Sequence, residues 1–426
     1  MLLCSHRCLV EIHAMNYVFY FDETFHDKRI TIKPDGTINS LLEDKNNCYI
    51  GVFWGCKQEM LREVIKSLTT FEKNYKTIFT LSDAQEFKST TFSQKNFKYG
   101  ICSFSQLTLN YYEDLFRLLL QVNPIIQINI VSKIEWMLRS VFIHAKLPPY
   151  IISNAFFYSL TKFFIVYQPK EVIAQMSYVR DIESAEQFRL HLIKTIDKVV
   201  EATLHIQRKQ EEIKALSNLS IILEDTVFET AFESKIDFIY LPNFDGLCKL
   251  LDEKKINYKK AKIVIDREEK TYKAAQQFQF GKVKQADSKN SIQIRLADQI
   301  CGFVGKMIKA LADDLSLREE HITDINLIDR EALVNKRLLD QKWFDLDERR
   351  FSLYQLIYQV LVVNCEAYWA TMTMSYSDQA TSFYSLLRYI NSYENYAQFK
   401  AVEPSDHTEF FNSCCLKEMS RAYAEL

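Results

Sequence analysis

Near its start the chain carries Tyr17-Val18-Phe19-Tyr20-Phe21-Asp22-Glu23-Thr24, an apolar run that ends on two carboxylates. An unpaired carboxylate removed from water costs roughly several kcal/mol. Charge at the tip of a buried strand therefore predicts something that holds it, a metal ion or a proton. Two further aspartates echo the first. Asp266 follows Lys262-Ile263-Val264-Ile265, and Asp298 lies in Ile294-Arg295-Leu296-Ala297-Asp298-Gln299, beside an apolar stripe at helical spacing (Ile294, Ala297, Cys301, Val304, Ile308). If the fold brings them together, the three make an all-oxygen site suited to Mg²⁺ or Mn²⁺, hard cations that favour carboxylates. Phosphodiester cleavage needs such a site, because metal ions clamp the attacking and leaving oxygens while the protein supplies geometry. For any one aspartate a turn or cap is the plainer reading, above all for Asp266, which precedes a predicted helix.

The elements that must position these residues alternate between strand and helix. Strands are predicted at 17–21, 29–33 and 49–54, with a Pro34-Asp35-Gly36 turn, and a helix at 58–75 covers one face of that sheet. A polar stretch over 79–99 holds Asp83, Glu86 and Lys88; a helix at 104–120 and a buried strand at 124–131 follow. Residues 133–220 read as helical, with an apolar piece at 156–167 and one amphipathic piece from Asp181 to Leu216. Alternation returns with strands at 236–240, 261–265 and 282–285, helices at 245–253 and 267–277, and a core helix over 291–311. On that helix Gly302, one turn past Asp298, lets a sheet approach closely. The last stretch, rich in Tyr, Phe and Leu, reads as helical.

Taken together, these segments resemble the domain-of-unknown-function 3800 family, which is similar to ribonuclease-H-like nucleases. The resemblance rests on Tyr20-Phe21-Asp22-Glu23-Thr24, the strand Tyr49-Ile50-Gly51-Val52, Glu86-Phe87-Lys88, the strand end Ile263-Val264-Ile265-Asp266, and Ser291 to Gly302 with its Leu296-Ala297-Asp298-Gln299 core. It spans roughly residues 16–311 and is interrupted by the helical middle. It implies that Asp22, Asp266 and Asp298 are metal ligands, that Glu86 is a fourth ligand or orients the attacking water, and that Lys88 contacts phosphate. Glu23 is then secondary. A role in defence against phage or mobile elements also follows from the resemblance alone.

The expected architecture is thus α/β: a ribonuclease-H-like mixed sheet with a large helical insertion and an α-helical C-terminal region. The divisions are a leader at 1–14, marked off by Met15 before the first strand, core at 15–132, helical insertion at 133–230, core again at 231–315, and the C-terminal region at 316–426.

Composition excludes several other classes. Only 8 glycines and 7 prolines among 426 residues, with 48% hydrophobic residues, favour long helices over a turn-rich all-β fold. No apolar run approaches the ~20 residues that span a bilayer. The 10 cysteines show no CxxC or zinc-ligand spacing, which predicts reduced thiols and a cytoplasmic protein. P-loop, GxGxxG, GxSxG and HExxH motifs are absent.

Net charge is only -2, so a polyanion must be gripped locally. From Lys254 to Arg295 there are 12 Lys or Arg against four Asp or Glu, an excess of +8 around two of the three proposed ligands. This marks Lys262, Arg267, Lys289 and Arg295, with Lys88, as the expected contacts to a nucleic-acid backbone, DNA or RNA. The plain alternative is a solvated lysine-rich face. His26, four residues after Asp22, is a weaker candidate as a proton shuttle. The aromatics Tyr354, Tyr358, Tyr368, Trp369, Tyr376, Phe383 and Tyr384 suit a core, or a surface for a protein partner or self-association, better than base stacking.

Two other functions stay open. One is a catalytically inactive ribonuclease-H-like scaffold that binds nucleic acid or a protein, for which Thr24 after the Asp-Glu pair and Arg295, three residues before Asp298 and able to pair with it, both speak. The other is a phosphohydrolase acting on small nucleotides.

Overall fold

A computed structural model describes residues 16–24, 48–176, 178–229, 240–315, 338–365 and 376–423. The predicted leader, the strand at 29–33 with its turn, His26, residues 236–239, Tyr368 and Trp369 lie outside them. In chain order the elements are β1 (Tyr17–Thr24), β2 (Cys48–Lys57), α1 (Leu61–Ile78), β3 (Lys98–Ile101), α2 (Gln106–Val122), β4 (Ile125–Ser132), α3 (Lys133–Val141), β5 (Ala145–Lys146), α4 (Ser153–Tyr167), α5 (Lys170–Met176), α6 (Ile182–Thr203), α7 (Gln210–Glu224), β6 (Val227–Phe228), α8 (Leu241–Glu253), β7 (Ala261–Ile265), α9 (Glu269–Gln276), β8 (Lys282–Gln285) and α10 (Ile292–Leu315). Helices over Glu348–Tyr358, Asp378–Asn391, Tyr396–Lys400 and Pro404–Tyr423 follow.

Because β1 is an unbroken apolar run, it needs cover on both faces and takes the centre of a sheet. The sheet has five strands in the order β4-β2-β1-β7-β8. β1 and β2, and β2 and β4, are antiparallel, whereas β1 and β7, and β7 and β8, are parallel. Val18 and Tyr20 join the core under α10, α1 and α2; Phe19 and Phe21 join a smaller one with Phe244 and Leu247 of α8 and Ala274 and Ala275 of α9. The protein is therefore α/β, with helices on both faces of a mixed sheet.

β4 runs straight into α3. Ser132 ends the strand and caps the helix, its hydroxyl accepting from Glu135 N at 3.3 Å. Helices α3 to α7 close around their own core of Leu138, Phe156, Leu160, Phe164, Phe188, Leu192 and Leu223. The piece expected as one amphipathic run from Asp181 to Leu216 is two helices, α6 and α7. The stripe hides the break because the connecting turn also buries Ile206, although Leu204 beside it is exposed. Tyr240, expected to end a strand, instead precedes the first turn of α8.

The C-terminal helices share the main core with the sheet. Tyr354 and Phe383 are fully buried there, and Tyr354 Oη accepts from Ile101 N at 3.3 Å. None of the described cysteines is disulfide-bonded. No helix among the described residues is long and apolar enough to cross a membrane.

Candidate active site

Two facts of the sheet place Asp22 and Asp266. β1 and β7 are parallel neighbours, and Phe21 lies opposite Ile265, so the aspartates that follow each of them emerge at the same sheet edge. Side chains alternate along a strand. Asp22 thus shares the face of Val18 and Tyr20, where α10 packs, and Glu23 turns to the other. α10 crosses this face and delivers Asp298.

Burial comes first among the causes that push the Asp22 carboxyl well above the usual carboxylate range, and the like charges of Asp298, Glu23 and Asp266 add to it. Against these stands one hydrogen bond, from Glu23 N to Asp22 Oδ1 at 2.8 Å. Asp298 is also raised, again chiefly by burial, but Ser89 offsets part of the effect. Ser89 N donates to Asp298 Oδ2 at 2.6 Å and Ser89 Oγ to Oδ1 at 2.7 Å, so both oxygens are held by one residue.

Glu86 arrives from the loop after α1. Its Oε1 accepts from Ser288 Oγ at 2.9 Å, and its Oε2 lies 3.0 Å from Lys88 Nζ. Burial alone would raise its pKa, yet the contacts with Lys88 and Ser288 outweigh burial and hold it below the ordinary value. Ser288 also ties in Asp266, its N donating to Oδ1 at 3.1 Å, beside Arg267 N at 2.8 Å. Asp266 is therefore not the cap of α9, which begins at Glu269 behind Glu268.

Glu23 points into the smaller core. Tyr49 Oη donates to its Oε2 at 2.7 Å, Asn243 Nδ2 donates to Tyr49 Oη at 2.9 Å, and burial pushes Glu23 up to about 8.

The basic residues separate into two groups. Lys88 sits within the electrostatic reach of Asp298 and Asp266, whereas Arg267 and Lys289 are exposed on the loops beside Asp266 and Ser288, with Arg267 Nη1 3.3 Å from Asp287. Lys262 and Arg295 do not join them. Lys262 is opposite Val18 and Lys282, four residues before Asp266 and thus about 13 Å back along the strand. With Lys282 and Lys284 it forms a lysine cluster at the β8 edge, where charge discourages strand-to-strand association.

Arg295 is buried and fully engaged. It makes a two-pronged pair with Glu72, Nε to Oε2 and Nη2 to Oε1 at 2.8 Å each, and donates to the carbonyls of Ser288 and Lys289. The expected pairing with Asp298 and the expected phosphate contact both give way to this clamp. Glu72 meets both prongs of the guanidinium fork, while both oxygens of Asp298 are already taken by Ser89.

Gly302 likewise has a different role from the expected one. A Cβ there would lie 2.2 Å from Ser89 Cβ, so the missing side chain admits the Ser89 turn rather than a sheet strand. Next to it, Gln299 Nε2 donates to Phe87 O at 3.0 Å and Lys306 Nζ to Ser89 O at 3.0 Å. Sequence reasoning passed over Ser89, Ser288, Gln299 and Lys306. The signal for Lys306 was its place on the face of Asp298, one turn beyond Gly302 on the same helix.

The donor set is all oxygen, as Mg²⁺ or Mn²⁺ prefers, and the like charges that raise Asp22 are what a bound cation would offset. Among the described residues no three acidic, cysteine or histidine side chains stand at metal-ligating spacing. Asp22, Asp266 and Asp298 thus share one edge without converging into a closed ligand shell. No family model matches the chain, and no curated protein or solved structure shows significant similarity to it.

Proposed function

We propose that this protein is a divalent-metal-dependent nuclease with a ribonuclease-H-like core. One observation carries the reading: Asp22 and Asp266 leave neighbouring parallel strands at one edge, Asp298 faces them from α10, and Asp22 feels both as like charges. Carboxylates crowded beyond what burial tolerates are a mark of functional sites. In this reading Asp22, Asp266 and Asp298 hold Mg²⁺ or Mn²⁺, which would supply positive charge where negative charge gathers on the phosphate. Glu86, ionised and oriented by Ser288 and Lys88, accepts a proton from the attacking water. Lys88, Arg267 and Lys289 hold the backbone of a DNA or RNA strand.

The test is cleavage of DNA and RNA oligonucleotides with Mg²⁺ or Mn²⁺. Asp22→Asn and Asp298→Asn should each lower the rate at least ~100-fold, beyond the usual cost of losing an outer-shell partner. Unchanged cleavage in either variant sinks the assignment.

The open spacing of the carboxylates favours one other reading, an inactive scaffold that binds nucleic acid or protein. Metal titration separates them, because a site that binds Mn²⁺ raises Tm with concentration and a scaffold without one does not.

A further inference from the structure

The helix that carries Asp298 also holds the loop that orients it. Ser89 is buried and commits its N–H and its hydroxyl to the two oxygens of Asp298. Its own carbonyl receives Lys306 Nζ at 3.0 Å, and the same ammonium lies 3.4 Å from Gly302 O and 5.9 Å from the centre of the Phe97 ring. Gln299 fixes Phe87 O two residues upstream. Asp298, Gly302 and Lys306 recur every four residues and so follow one face of α10. Gly302 supplies the space, Lys306 the anchor and Asp298 the carboxylate that the anchored turn grips.

Hydrogen bonds to both oxygens of a carboxylate satisfy it in any loop; beside Asp22 they also fix its orientation. A carboxylate that receives a cation gains from that fixed orientation, because free rotation would otherwise be frozen at each binding event. We propose that Ser89 and Lys306 are positioning residues that fix the Asp298 carboxylate in its cation-receiving orientation. This inference rests on the metal-site reading above.

The charge of Lys306 makes the proposal testable by sign. Removing a positive charge near a cation site should, by Coulomb's law alone, tighten cation binding. Removing an anchor should weaken it. Mn²⁺ affinity is measured by isothermal titration on the full chain, with the Tm of the metal-free protein as the control for folding. Ser89→Ala and Lys306→Met should each bind Mn²⁺ about 10–100-fold more weakly, with a metal-free unfolding transition that stays cooperative at a lower Tm, since each loses a hydrogen bond to a buried group. Lys306→Arg, which keeps a donor and the charge, should recover most of the affinity.

Equal or tighter binding by Lys306→Met, or an unchanged affinity in Ser89→Ala, overturns the proposal. Should Lys306→Met fail to fold, Ser89→Ala decides alone, since it removes one oxygen atom and no charge. If the unaltered protein binds no Mn²⁺, the metal-site reading itself falls and takes this inference with it. If it binds and the variants match it, only the positioning role is lost.

Discussion

The helical unit between α3 and α7 buries charge and the carboxylate edge half-buries it, and they handle it in opposite ways. In the helical unit the buried ions Lys209 and Glu135 each have an opposite partner. Lys209, 4% exposed, donates to both oxygens of Glu212 at 3.0 and 2.8 Å and to Tyr167 Oη at 2.8 Å. Glu135, with no exposed surface, accepts from Arg139 Nε and from Tyr376 N, both at 2.8 Å. At the edge, Asp22 is met by Asp298 and Asp266 and by a single N–H. Paired buried charge ties helices together, whereas crowded like charge raises the carboxyl pKa until a proton or a cation relieves it. That contrast is the strongest physical argument for placing chemistry at the edge.

Substitutions that remove one charge from each region should break the symmetry between them. The largest effect is on activity: Asp22→Asn should cut Mn²⁺-dependent cleavage by at least ~100-fold yet leave the metal-free protein as stable as before or more so, because it relieves repulsion. A clear fall in its metal-free Tm would show that Asp22 is structural and would erase the contrast. Next comes Arg139→Met, which strands Glu135 in the core and should cost about 3–5 kcal/mol in denaturant unfolding. The folded fraction should cleave at the normal rate, because the pair lies in a separate core.

Gly302→Ala is expected to have an intermediate effect. The new methyl meets Ser89, so overpacking should cost about 1–3 kcal/mol and should displace the turn that grips Asp298. A Tm equal to that of the unaltered protein, with full Mn²⁺ affinity, would show that Ser89 is free to move and that the grip is loose.

The C-terminal region shows a third way to bury a titratable group, which is to keep it neutral. His407 is enclosed between the Phe344 and Phe399 rings, with Nε2 3.1 Å from Phe399 O and Nδ1 2.6 Å from Tyr389 Oη; Tyr393 Oη lies 3.5 Å from Nδ1. Burial lowers its pKa, against small opposing effects from the Phe399 carbonyl and Asp406. The unfolded chain then binds the proton more readily, so the stability His407 contributes is present above about pH 6.5, its ordinary value, and is lost as pH falls toward the folded value. The smallest of the expected effects is therefore a stability slope between pH 7 and 5 that flattens in His407→Gln. An unchanged slope would assign the acid sensitivity to other groups.

Much of the scaffold was legible from pattern alone. The strands over 261–265 and 282–285 have their predicted bounds, and the helix expected at 291–311 is α10 with one residue less at its start and four more at its end. These segments are short apolar runs or long regular stripes, where local pattern and burial agree. The break between α6 and α7 was not legible, because the turn buries Ile206 and so continues the apolar pattern across it. In the site, the three aspartates could be read because each ends an apolar run or borders an apolar stripe. Ser89 and Ser288 carried no such mark, since a serine in a polar loop looks like any other until the carboxylate it serves is in place.

The sequence by itself determined which side chains would be carried to the ends of buried elements. Alternation along β1 and the periodicity of α10 leave Asp22 and Asp298 little choice of face. Only the tertiary structure decided which charges would meet. Local spacing offered Arg295 to Asp298, three residues away on one helix, yet the guanidinium went to Glu72, 223 positions distant in the chain. Lys262 stands in the basic stretch near Asp266 but at the other end of its strand. Helical spacing and charge counts state which contacts are allowed. The fold chooses among them by burial, since a desolvated ion takes the partner that satisfies most of its hydrogen bonds.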